Sequence, residues 1–123
     1  MRVHLVLIVD DNEQNAKLVR DVLEAAGIRT LSAATAGEGI DLAIQHRPDL
    51  VLMDLRLPDF DGEEAAQRLK ADERTRSIPI VALSALDLHE AGVRLGDEGF
   101  AGSIEKPIDV RELPAQVRRF CSH

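Results

Sequence analysis

Three aspartates stand directly behind apolar runs: Asp10 and Asp11 follow Val3 to Val9, and Asp54 follows Leu50 to Met53. Ser84 stands in the same way after Ile80 to Leu83, and Lys106 follows the short strand expected near Gly102 to Glu105. Carboxylates brought into one crevice repel one another unless a cation shares the site. An oxygen-only ligand set of carboxylates, a backbone carbonyl and water suits Mg2+, whereas zinc would call for His or Cys. A half-open Mg2+ site usually accompanies a phosphate, and a hydroxyl and an ammonium are the parts that hold phosphoryl oxygens opposite a metal. The central carboxylate is then a candidate phosphoryl acceptor. Taken singly, each residue is an ordinary turn, cap or surface group. Their joint placement at four expected strand ends is what points to a site.

The elements that must position these residues follow from periodicity. Val3 to Val9 is β-branched and aliphatic without alternation, as expected of a strand buried on both faces of a parallel sheet. Asn15 to Ala26 carries Leu18, Val19, Val22, Leu23 and Ala26 at helical spacing, with Lys17/Asp21 and Arg20/Glu24 four apart and Gly27 as the stop. A strand near Thr30 to Ala34 leads to Thr35-Ala36-Gly37-Glu38, whose capping-box spacing opens a helix toward His46, before Pro48. Leu50 to Met53 is the next strand. The turn formers Pro58-Asp59-Phe60-Asp61-Gly62 precede a helix to about Lys70. Then come strand Ile80 to Leu83, a weaker helix around Leu88 to Leu95, a strand near Gly102 to Glu105, and a last helix ending near Phe120. Five strands alternating with five helices predict an α/β fold: a doubly wound, five-stranded parallel sheet in the flavodoxin/CheY-like order 2-1-3-4-5. That topology places ligands beyond the carboxyl ends of strands one and three, which here deliver Asp10-Asp11 and Asp54.

Composition bounds the function. The chain has 123 residues, of which 45% are apolar and 30% charged, which predicts one globular domain over residues 1–123 with no room for a second. Fifteen basic against 22 acidic residues give a formal charge of -7, which disfavours direct nucleic-acid binding. The longest apolar run is far shorter than the ~20 residues a bilayer crossing needs, so the expectation is a cytoplasmic protein with no membrane insertion. Cys121 is the sole cysteine, and the four histidines show no metal-binding spacing.

The sequence resembles the receiver domain of two-component response regulators from Val3 to Phe120. The residues that carry the resemblance are Leu7-Ile8-Val9-Asp10-Asp11-Asn12, Pro48 to Asp54, Leu57-Pro58 with Asp61-Gly62, Ile78 to Ala85, and Lys106-Pro107-Ile108. Within the family it is most similar to stand-alone receivers of the DivK kind, through Asp11-Asn12-Glu13-Gln14-Asn15 and the long helix that follows.

The resemblance implies a switch rather than an enzyme. Asp54 would accept a phosphoryl group from a histidine kinase or phosphotransfer protein. Asp11, Asp54 and the backbone carbonyl of Arg56 would bind Mg2+, with Asp10 acting mainly through a bound water. Ser84 would bond one phosphoryl oxygen and Lys106 another, and the Lys106-Pro107 bond would be cis. Arg56 and Leu86 would flank the phosphoryl group and tune its hydrolysis. A downstream protein target, and pairing of two copies, would use the face of the fourth helix, fifth strand and fifth helix. Departures from the family fall on that face. Ser103 stands where an aromatic is usual, Gly92 and Gly96 weaken the fourth helix, and Pro114 lies about five positions into the last helix if Asp109 and Glu112 cap it. The last helix must therefore start late or bend.

Rival readings weaken at particular residues. A flavin-binding protein of this fold needs a hydroxyl- and glycine-rich loop after strand one, where Asp10-Asp11 stands. A phosphatase of the haloacid-dehalogenase type needs a second aspartate two residues after the nucleophile, where Arg56 stands. A receiver-shaped interaction module that works without phosphorylation, and a receiver segment of a longer regulator, stay open.

Overall fold

The computed structural model, which describes residues 4–54, 62–84, 100–105 and 108–121, carries the first apolar run as strand β1 (Leu5–Val9). It is followed by β2 (Arg29–Ala33), β3 (Leu50–Asp54), β4 (Ile80–Ser84) and β5 (Gly102–Glu105). All pair in parallel in the order β2-β1-β3-β4-β5, as the alternation of elements predicts. Four helices are described: α1 (Glu13–Ala25), α2 (Ala36–His46), α3 (Gly62–Ala71) and α4 (Leu113–Cys121). The helix expected around Leu88 to Leu95, with Gly92 and Gly96, lies outside the described residues.

Alternate side chains of each central strand enter opposite cores, the period-2 consequence of the pleat. Leu7, Val9, Val51, Met53, Ile80 and Ala82 pack with Ala36 and Ala43 of α2 and Ala65, Ala66 and Leu69 of α3. Val6, Ile8, Leu50, Leu52, Val81, Leu83 and Ile104 pack on the other face with Val19 and Leu23 of α1 and Leu113 and Val117 of α4. Burial on both faces accounts for the unbroken apolar runs.

The helix boundaries have local causes. Asn12 caps α1 by accepting the Asn15 N–H at 3.0 Å, so the helix starts at Glu13, two residues before the expected start. Its buried stripe is Ala16, Val19 and Leu23. Leu18, expected on that stripe, is 41% exposed because it lies one residue off it. Gly27 takes φ +85 after the last turn, a conformation glycine adopts at little cost. Thr35 Oγ1 accepts the Glu38 N–H at 3.1 Å, opening α2 as its spacing predicts. Arg47, before Pro48, closes it in the left-handed region at φ 46.

Pro114 resolves as a late start. The N–H groups of Glu112 and Leu113 both donate to the Asp109 carbonyl, at 3.1 and 3.0 Å, in a turn that precedes the helix proper. α4 begins at Leu113, which puts Pro114 in the first turn, where helical N–H groups have no partner within the helix.

Candidate functional site

The strand ends are level with one another. Val9 pairs with Met53, Asp54 with Leu83 and Ser84 with Glu105, so the residues that follow or finish these strands emerge along one edge of the sheet. Asp10 comes directly after Val9, and its N–H donates to the Ala33 carbonyl at 3.0 Å, which prolongs the β1–β2 pairing by one residue. Asp54 is the last residue of β3, the middle strand.

Carboxylate oxygens of Asp10, Asp11 and Asp54 lie within 4.8 Å of one another. Asp10 and Asp54 are only 3% and 8% exposed, while Asp11 is open to solvent. Taking two anions out of water beside a third is costly unless positive charge compensates them. The donors are all carboxylate oxygens, which suits a hard cation with octahedral oxygen coordination at about 2.0–2.1 Å. These residues fit Mg2+: one face of the ion would meet buried oxygens, and the exposed Asp11 side leaves room for water.

Asp10 is held as well as buried. Its Oδ1 accepts the Asn12 N–H at 2.9 Å, so one carboxylate oxygen is engaged by the residue that caps α1. A groove of about 350 Å3 opens beside it, lined by Asp10, Glu13, Lys17, Arg20, Ser32 and Glu38. A cavity of about 460 Å3, lined in part by Arg47, Asp49, Arg74 and Cys121, sits at the opposite edge of the sheet, at the residues that lead into β3 and β4. Asp49 there accepts the Leu5 N–H at 2.8 Å and clasps the start of β1.

The remaining expected site residues divide by position. The backbone of Ser84 ends β4, one strand from Asp54. Arg56, Leu86, Lys106 and Pro107 lie outside the described residues. Ser103 is exposed on β5, paired with Ala82. Sequence reasoning missed Asn12, having started the helix at Asn15. The available signal was an Asn directly before Glu13, a preferred cap followed by an acidic first turn.

The sequence matches the response regulator receiver domain family over residues 6–118. The chain belongs to this family. Among receivers, the polar-differentiation response regulator DivK of Brucella anthropi is 44% identical over 115 residues, 94% of either chain. The fold is similar to the receiver domain of a sensor histidine kinase from Pseudomonas aeruginosa PAO1, whose crystal structure has a magnesium ion coordinated in the active-site cleft. The TM-score is 0.88 at 30% identity, covering 99% of this chain and 100% of that one. The chemotaxis response regulator CheY4 of Vibrio cholerae shares the fold, with a TM-score of 0.87 at 23% identity over 97% of this chain and 99% of that one. Receiver domains are signalling modules rather than classical enzymes, and they interact with histidine kinases and downstream targets. No described helix is long and apolar enough to cross a membrane.

Proposed function

We propose that this receiver is a phosphorylation-dependent switch in which Asp54 takes a phosphoryl group from a phosphohistidine of a kinase or phosphotransfer protein. The observation that carries the reading is the burial of Asp54 at the end of the middle strand with the Asp10 and Asp11 carboxylates within 4.8 Å. An Asp54 oxygen attacks phosphorus, the P–N bond breaks, and its electron pair returns to the imidazole nitrogen. Later attack of water on phosphorus restores the carboxylate and releases inorganic phosphate. Bound Mg2+ supplies charge neutralisation to the phosphoryl oxygens.

Asp11, Asp54 and the Arg56 carbonyl hold the ion in this reading, with Asp10 acting through water. Ser84 and Lys106 bind the other phosphoryl oxygens. Their support is that β4 ends at Ser84 and that Lys106 follows Glu105, the residue paired with Ser84. The single domain works in the cytoplasm and carries its output on the surface that includes β5 and α4, where a target or a second copy docks. Ser103 is exposed there in place of the family's usual aromatic, so transmission differs from the common pattern while the acceptor chemistry is kept. Comparing Ser103→Tyr with wild type for target binding, with and without beryllofluoride, tests this; identical behaviour overturns it.

Intact-mass spectrometry after incubation with acetyl phosphate and Mg2+ tests the acceptor reading. The expected result is a gain of one phosphoryl mass that requires Mg2+ and is lost in Asp54→Asn. No adduct, together with no response to beryllofluoride, would favour an interaction module that works without phosphorylation.

A further inference from the structure

Asn12 is bound on both sides. Its Oδ1 accepts the Asn15 N–H at 3.0 Å and its carbonyl accepts the Ala16 N–H at 3.0 Å, which fastens it to the first turn of α1. Its own N–H donates to Asp10 Oδ1 at 2.9 Å. Asp10 is tied to β2 in turn, through its N–H and the Ala33 carbonyl. A carboxylate with its backbone fixed and one oxygen held has little freedom left for the other oxygen. We propose that Asn12 is a positioning residue for the divalent cation: its side chain fixes the backbone at residue 12, and that backbone N–H orients the buried Asp10 carboxylate toward Asp11 and Asp54.

The proposal rests on the acceptor reading above and deepens it. A cation site gains affinity when its ligands are held in the binding geometry before the ion arrives, and residues behind the ligands supply that hold. Here the hold passes through the helix cap. Replacing Asn12 by Ala leaves the backbone N–H in place but removes the acceptor for Asn15. The first turn of α1 then frays, the residue-12 N–H wanders, and the Asp10 carboxylate is released to rotate. Asn12 thus acts on the ion without touching it.

Calorimetric titration of the full chain with Mg2+ alone tests this. Asn12→Ala should weaken Mg2+ binding about tenfold, the scale seen when residues supporting metal ligands are removed. Asn12→Ser, which restores a capping oxygen, should return most of the affinity. Asn12→Gly, a residue helices tolerate at this position, should fray the first turn less and hold Mg2+ affinity between the Ala variant and wild type. Thr35→Ala removes the equivalent cap of α2, whose Oγ1 accepts the Glu38 N–H at 3.1 Å, and should leave Mg2+ affinity unchanged. Wild-type affinity in Asn12→Ala, or equal weakening in Thr35→Ala, overturns the proposal alone. Absence of Mg2+ binding by the wild-type chain overturns both the proposal and the acceptor reading beneath it.

Discussion

The ring of Phe120 in α4 lies directly over Gly102 in β5: a Cβ at position 102 would stand 2.7 Å from the ring Cζ and 2.8 Å from Cε1. Real Cβ atoms do not approach so closely, so the contact joins the last helix to the edge strand through a missing side chain. On the same helix, Arg118 Nη2 donates to the Ala26 carbonyl at 2.5 Å and ties α4 to the end of α1.

Gly102→Ala should destabilise the domain by about 1–3 kcal/mol, the usual cost of overpacking, although Ala alone suits a strand better than Gly. Phe120→Leu in the Gly102→Ala background should recover part of that loss. Urea unfolding of the two single variants and the double variant reads the coupling, and purely additive effects would show that the ring does not press on residue 102.

Mg2+ should stabilise the folded chain. A ligand at 100 times its dissociation constant adds about 2.7 kcal/mol to the native state if it does not bind the unfolded one. The melting temperature should therefore rise with Mg2+ and not with Na+ at equal ionic strength. Asp10→Asn and Asp11→Asn should each blunt the rise. In the absence of divalent ions, removing one charge from three carboxylates within 4.8 Å should raise stability rather than lower it.

Acid unfolding should register a surface pair. The side chain of Arg74 donates to both Asp72 oxygens, at 3.0 and 2.7 Å, and its backbone N–H adds a third bond at 2.8 Å. These bonds hold the Asp72 carboxyl down at about 2 from its ordinary 3.8. A carboxyl depressed in the folded state stabilises it above the unfolded value and loses that contribution as pH falls through the folded one. Wild type should thus exceed Asp72→Asn in stability above pH 3.8 and converge with it near pH 2. The pair lies at the surface, with Arg74 exposed and Asp72 half-buried, so the difference is small and shrinks with salt. Urea midpoints across that window measure it.

Thr75 is fully buried, and its Oγ1 donates to the Leu69 carbonyl at 2.6 Å, closing the chain back on α3. Thr75→Val keeps the shape and deletes the donor, which should cost about 1–3 kcal/mol as the buried carbonyl loses its partner. Thr75→Ser should retain most of the bond. Equal stability of Thr75→Val and wild type in urea would show that this carbonyl is satisfied another way.

Much of this receiver is legible along the chain because its sheet is parallel and covered on both faces. Runs such as Leu50 to Met53 therefore read as strands without alternation, and the residue that ends each run marks the functional edge. Asp10, Asp11 and Asp54 could be nominated for that reason; the capping role of Thr35 was legible from its spacing to Glu38, while Pro114 announced a late start or a bend and only the structure chose the late start. Local pattern could not decide which side of α1 faces inward. Leu18 fits helical spacing as well as Val19 does, and only the packing of Ala16, Val19 and Leu23 against the sheet leaves Leu18 outside. Nor could it reveal that Asn12 serves both a helix and a carboxylate, since both bonds depend on where the chain turns after β1. Sequence by itself determined the kinds of chemical groups and their places at strand ends, because periodicity and side-chain type are local properties. Tertiary structure alone decided that carboxylate oxygens from residues 44 apart come within 4.8 Å of one another and that Phe120 needs a glycine beneath it, because those distances arise only when separate strands and helices pack.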